Sequence, residues 1–149
     1  MIIRRARHED IASIVAIHND DEFRRSAPES LDALPPEYAA ALTEMNADPN
    51  NQMWVAEIDG HVVGAFQLTF IRHLMARGAL IAQVESVHVA SNMRSRGIGE
   101  AMMRFAVEEA RKRKCLRVQL TSQKRRERAH AFYERMGFTK SHEGMKLYL

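Results

Sequence analysis

Between Leu80 and Thr121 the sequence reads as a strand, a long helix and a second strand, and no other stretch narrows the fold as much. Leu80–Val89 is mostly apolar, Ala90–Arg96 is a short polar connection, and Gly97 opens a helix that runs to about Lys114. In that helix Ile98, Met102, Phe105, Ala106 and Ala110 mark one face, while Glu100/Arg104 and Glu108/Lys112 are i,i+4 pairs on the other. Leu116–Thr121 then alternates, with Leu116, Val118 and Leu120 on one side and Arg117, Gln119 and Thr121 on the other. Two strands joined through so long a helix are expected to lie parallel, with a right-handed crossover.

The rest of the chain supplies antiparallel partners. Asp59-Gly60 joins the strands Met53–Ile58 and His61–Ile71 as a tight hairpin, because a type I′ turn needs positive φ at both central positions. Ile2–Arg5 is a short strand feeding the helix Glu9–Asn19, where Ile11, Ile14, Val15 and His18 follow an acidic first turn. Asp20–Pro36 is polar and carries Pro28, Pro35 and Pro36, so a loop or broken helix is expected, then a helix from Glu37 to about Ala47. Glu127–Met136 is a helix with Ala129, Phe132, Tyr133 and Met136 on one face and Gly137 as its C′ residue. Phe138–Lys140 and Met145–Leu149 read as closing strands. The fold class is α/β: a single mixed, mostly antiparallel sheet flanked by helices, with one parallel β-α-β crossover, in one domain over residues 1–149.

Hydrophobic residues are 46% and charged residues 28%, enough to bury a core and too balanced for a disordered chain. Cys115 is the sole cysteine, which rules out an internal disulfide and makes a reducing cytoplasm the expected compartment. Arg4, Arg5, Arg7, Glu9 and Asp10 interrupt any leader-like apolar run near the start, and no stretch approaches the roughly 18 apolar residues of a membrane span. The net charge of +3 is small for a nucleic-acid-binding domain. Arg111–Arg128 is nonetheless a basic stretch without interleaved aromatics, either a solvated face or an anion site. The seven histidines show neither H-E-x-x-H nor a Cys/His set, so no metal is expected.

Three features carry chemistry. Arg94-Ser95-Arg96-Gly97-Ile98-Gly99 lies between a strand and a long helix, where two glycines permit close backbone approach and the helix start offers free N–H groups to a phosphate. It is neither a P-loop nor a dinucleotide loop, since Met102 stands where the third glycine would be, and a plain tight turn is the competing reading. Glu85, in Val84-Glu85-Ser86-Val87-His88-Val89, is a carboxylate within an apolar strand that either reaches solvent or serves a function. Tyr133 lies on the apolar face of the last helix, as a core tyrosine or as a proton donor.

Taken in order, these residues resemble the GNAT superfamily of acetyl-CoA-dependent N-acetyltransferases. The Arg/Gln-x-x-Gly-x-Gly/Ala signature matches Arg94, Gly97 and Gly99. The Ala-x-x-Phe-Tyr-Glu-x-x-Gly-Phe signature is close to Ala129-His130-Ala131-Phe132-Tyr133-Glu134-Arg135-Met136-Gly137-Phe138, and Asp59-Gly60-His61-Val62-Val63-Gly64 lies upstream. The resemblance implies acetyl-CoA as co-substrate, its diphosphate on Arg94, Ser95, Arg96, Gly97, Ile98, Gly99 and Glu100. Its pantetheine arm would pair with the backbone near Val87 and Val89. It further implies Glu85 as the base for the acceptor ammonium, directly or through water, and Tyr133 as the acid for the leaving thiolate. Many members carry Asn seven residues before the tyrosine; here Arg126 stands there, with a guanidinium suited to phosphate. The resemblance also implies direct transfer, which needs no acyl-cysteine, so Cys115, expected to precede a buried strand, is read as packing, and His88 as structural.

The acceptor groove of such a fold would lie between Asn19–Ser30 and Arg72–Gly78. The first holds Asp20, Asp21 and Glu22, suited to an amine; the second holds Arg72, His73 and Arg77, suited to an anionic group. A small amine bearing a carboxylate or phosphonate would fit both, against the plainer reading of solvated loop charge. Acetylation of a protein amino terminus or lysine, and a non-catalytic protein that holds acyl-CoA or nucleic acid, are the alternatives. The expected partners are a small-molecule amine and neither nucleic acid nor membrane; the sequence leaves a homodimer open.

Overall fold

The structure is a computed structural model that describes residues 1–24 and 26–149. Asp59 and Gly60 take φ of 50° and 79°, the left-handed pair the hairpin requires, and this turn sets β2 (Asn51–Ile58) against β3 (His61–Arg72). β1 (Ile2–Arg5) pairs antiparallel with β2, and β4 (Leu80–Val89) antiparallel with β3. β5 (Arg117–Leu120) pairs parallel with β4 through the helix α4 (Ile98–Lys112). One sheet results, in the order β1-β2-β3-β4-β5.

Helices cover both faces. On one, Met102, Met103 and Ala106 of α4 are fully buried against Phe66, Leu68, Ala82 and Val84, and each such large side chain contributes about 1.5–3 kcal/mol by leaving water. On the other, Leu42 of α2 (Glu37–Ala47) packs with Ala6, Val55 and Ala65, flanked by Ile11 and Ile14 of α1 (Ile11–Asn19). Helix and sheet approach closely at Gly64, where an added Cβ would stand 2.8 Å from Met102 Sδ and 3.2 Å from the His88 carbonyl. No helix of the described residues is long and apolar enough to cross a membrane.

The structure corrects the sequence reading at several places. The first helix begins at Ile11, preceded by a 3₁₀ turn at His8–Asp10. That turn is fixed by the Asp10 carboxylate, which accepts bonds from the Arg7 N–H at 2.7 Å and the Arg4 guanidinium at 2.7 and 2.8 Å. Met103 joins the buried face of α4, which the helical spacing had left out. Cys115 does not lead into a buried strand: β5 is a four-residue edge strand, and Leu116 before it is 59% exposed. Neither closing strand forms. Residues 138–149 make no ladder, because alternation gives a segment its two faces but supplies no neighbour.

The short segment α3 (Met75–Gly78) follows β3, with Ala76 and Arg77 in the left-handed region. The last helix, α5 (Glu127–Arg135), ends as expected before Gly137 at φ 92°.

Candidate active site

Pairing between β4 and β5 stops at Val84 opposite Leu120, and β4 continues to Val89 with no strand on its β5 side. Glu85 is the first residue past that point. On the other side the ladder is irregular: Gln67 faces Glu85 and Ala65 faces His88, so one residue of β3 opposes Ser86 and Val87 together. Ser86 takes φ 51°, the positive value of a bulged residue. The bulge turns the peptide at Val87 out of the regular pleat beside the open edge. Backbone donors and acceptors over residues 85–89 therefore face a gap rather than a strand.

The gap is closed at one end by the loop into α4. Ser95 and Gly97 are both left-handed, at φ 61° and 78°, and Gly97 is the N-cap of α4. Only glycine takes that conformation without strain, which explains the residue type at position 97. The N–H groups of Ile98, Gly99 and Glu100 have no acceptor within the helix, so they point outward with the positive end of the dipole. Arg94 is exposed and braces the loop: its Nε donates to the Val89 carbonyl at 3.2 Å and its Nη2 to the Asp20 carbonyl at 3.4 Å. Glu100 is paired at 2.7 Å with Arg104. Arg96 is exposed.

α5 forms the opposite wall. A Cβ on Gly99 would lie 3.8 Å from the Phe132 ring and 3.9 Å from Val89, so the first turn of α4, the end of β4 and α5 meet at one place. Tyr133 packs edge-on between Phe132, at 5.1 Å, and Phe138, at 5.9 Å. Burial raises its phenol above the usual value, with the Arg126 charge opposing in part, so the group stays protonated at neutral pH. Glu85 is exposed and has no ion pair among the described residues.

Two features of this region lay outside the reach of sequence reasoning. Arg126 bonds to Asp21, 105 residues away, and its guanidinium also lies 5.0 Å from the Phe23 ring. Burial pushes the Asp21 carboxyl up, but the Arg126 bond and the Phe23 N–H outweigh it and hold the group below the ordinary range. His18 and His88 stack, with ring centroids 4.9 Å apart. Burial lowers His88 to about 4, with the nearby His18 acting in the same direction and Asp21 against it. Each residue falls in a segment whose fold the sequence indicates, yet nothing local to either joins them.

The acidic loop is thus largely engaged in structure. Asp20 accepts a bond from Ser91 Oγ at 3.0 Å, Asp21 holds Arg126, and Glu22 is left exposed; Arg25, within the same segment, lies outside the described residues. In the segment expected to line the acceptor groove from the other side, Arg72 donates to the Gly78 carbonyl at 2.7 Å and Arg77 is exposed.

A strand edge left open beside a helix N-terminus, with α5 as the opposite wall, forms a cleft suited to an extended molecule that ends in a phosphate. The profile of the Acetyltransferase (GNAT) family matches residues 7–138, and the chain belongs to that family. Over 95 residues the chain is 34% identical to the aminoalkylphosphonate N-acetyltransferase of Salmonella typhimurium, covering 64% of this chain and 61% of that protein. The match therefore spans less than two thirds of that relative. Among solved structures, a transcriptional regulator from Bacillus halodurans C-125 is 37% identical, with a TM-score of 0.93 over 99% of both chains. An acetyltransferase from Trypanosoma brucei superposes with a TM-score of 0.81 over 99% of both chains, and at 22% identity that likeness speaks to the fold alone.

Proposed function

We propose that the chain, as a single catalytic domain over residues 1–149, moves an acetyl group from acetyl-CoA to a primary amine of a small molecule, by direct attack in a ternary complex. The observation that carries this reading is the open edge of β4 at residues 85–89 beside the first turn of α4. An extended arm with amide donors and acceptors fits the backbone at Val87 and Val89 as a strand would. A diphosphate fits the N–H groups over residues 94–100. Arg126 has five N–H donors, and Asp21 leaves some of them for a phosphate. Acetyl-CoA supplies the acetyl group as an activated thioester.

The protein's own groups then divide the work. The Val87 N–H polarises the carbonyl, and Glu85 accepts a proton from the entering ammonium, directly or through water. As the C–N bond forms and the C–S bond breaks, Tyr133 gives its proton to sulfur. The nitrogen loses two protons in all, which balance the one gained by sulfur and the one released to water.

For the acceptor, Glu22 and Glu85 are the exposed carboxylates left for an ammonium, and Arg72 and Arg77 supply positive charge for an anionic group, with the His73 ring N–H as a further donor. An aminoalkylphosphonate, named in the Salmonella relative, has both features. The lone cysteine supports a cytoplasmic site of action. A panel of amines scored by free CoA release tests the reading, and a phosphonate- or carboxylate-bearing amine is expected to lead. A spermidine-like amine in first place overturns the anionic acceptor. A peptide amine in first place makes the chain a protein acetyltransferase, and acetyl-CoA binding without turnover on any amine makes it a binding protein.

A further inference from the structure

Across β2, β3, β4 and β5 the register lines up a row of uncharged polar residues. Asn51 stands opposite Thr69, Thr69 opposite Gln83, and Gln83 opposite Gln119. The row lies on the face that α1 and α2 cover elsewhere, because Ala65, which clusters with Leu42 of α2, is followed by Gln67 and Thr69 at two-residue steps. Gln67 in turn stands opposite Glu85, so Glu85 shares this face and follows Gln83 along it. Apolar residues fill such rows where a sheet is covered, and a row that is polar throughout marks sheet left out of the core.

The side chains of the row are joined. Arg117, two residues before Gln119 and on the same face, donates its Nε to Gln119 Oε1 at 2.9 Å, and Gln119 Nε2 donates to Gln83 Oε1 at 2.9 Å. Toward β2, Gln67 Nε2 donates to Asn51 Oδ1 at 2.9 Å. The bond to Gln119 draws the Arg117 guanidinium along β5 toward the row. No carboxylate pairs with that guanidinium among the described residues. Arg72, by contrast, stands opposite Leu80, which packs toward α4, so it starts from the other face of the sheet.

The face is bounded along β4. Ile81, two residues before Gln83, is 1% exposed, whereas Glu85 is open to water. A two-residue step on a strand is about 7 Å, so a carboxylate at one position and amide and guanidinium donors at the other stand a short molecule's length apart.

We infer that Arg117, Gln119 and Gln83 hold the anionic end of the acceptor whose ammonium meets Glu85, and that they select an amine separated from its carboxylate or phosphonate by two or three carbons. The inference rests on the acetyltransferase reading above and gives its acceptor a place and a length. A guanidinium flanked by carboxamide N–H groups matches the oxygens of an acid in geometry as well as in charge, and Gln119 sets the direction of that guanidinium. A single carbon leaves the acid short of the row. Five drive it against the covered sheet at Ile81.

Steady-state kinetics on the full chain with amines of graded length tests this. Acceptors with two or three carbons between nitrogen and acid are expected to lead those with one or five. Arg117→Gln is expected to raise KM for the leading acceptor about tenfold or more, with kcat and the KM for acetyl-CoA within about twofold, because uniform binding is what it removes. Toward an amine of the same length ending in a hydroxyl, that variant and the wild type should differ little, a split that a purely structural arginine would not produce. Arg117→Lys should recover part of the loss, and Gln119→Leu, which removes the group that steers the guanidinium, should raise the same KM. Anionic amines acetylated without regard to length, an unchanged KM in Arg117→Gln, or a larger effect from Arg72→Gln each overturns the inference while the acetyltransferase reading stands. No turnover on any amine, or a spermidine-like amine in first place, removes that reading and this inference with it.

Discussion

Tyr133 and His88 show burial moving two pKa values in opposite directions while favouring the neutral form of both. Burial keeps the Tyr133 phenol protonated, which a proton donor requires, and removing the oxygen deletes the donor while leaving the ring packed on Phe132 and Phe138. Tyr133→Phe is therefore expected to lower kcat by about 10²-fold or more with little change in acetyl-CoA affinity, read by steady-state kinetics and calorimetry. Unchanged kcat would return Tyr133 to the core. His88 offers a stability test. Its folded pKa of about 4 lies below the ordinary 6.5, so between those values the unfolded chain binds more protons and stability falls as pH falls. The loss across that window is on the order of 2–3 kcal/mol, and denaturant melts from pH 7 to 4 should show it. His88→Gln should flatten the slope over the same window; an equal slope in the variant would assign the acid sensitivity elsewhere. The loop into α4 was legible as a candidate site because Arg94, Gly97 and Gly99 sit within six positions of one another. Asp21 and Arg126 were not, because their bond joins loops 105 residues apart and neither type is unusual where it stands.

At the level of elements, helices and the hairpin announced themselves through local signals. The helix Glu37–Ala47 and the strand Leu80–Val89 have the boundaries their sequence indicates, since Pro49 ends one and polar residues bound the other. The bulge at Ser86 left no mark, because it arises from the mismatch between β3 and β4 and not from either alone. The tail failed as a prediction for the same reason, strand pattern being a property of a segment and strand pairing a property of two. How tightly α4 lies on the sheet is testable at Gly64. With Met102 fully buried and the His88 carbonyl at 3.2 Å, neither neighbour of a new Cβ can retreat freely. Gly64→Ala is expected to cost about 1–3 kcal/mol, seen as a lower midpoint in urea with an unchanged m-value. A neutral substitution would mean that α4 rides on the sheet with slack.

Across the whole molecule, the class of fold was readable because a single parallel crossover inside an antiparallel sheet leaves few arrangements. The splay of β4 from β5, which makes the site, followed only from the shortness of β5. One further contact set has a consequence for how substrates are taken up. Residue 20 touches the segment before α4 twice, through its carboxylate to Ser91 and its carbonyl to Arg94, while residue 21 holds the start of α5 through Arg126. On the proposed reading, the segment that would face the acceptor is thereby bolted to both walls of the acetyl-CoA cleft. Two ligands that settle the same segment share its ordering cost, so each should tighten the other by one common factor, about 5- to 150-fold for couplings of ordinary size. Calorimetry of each ligand with and without the other measures that factor from both directions, and Asp20→Ala should bring it toward one. On that reading discrimination would follow the sequence of arrival: an acceptor meeting the bare protein would be held weakly, and the acetyl donor would make the protein attentive to it.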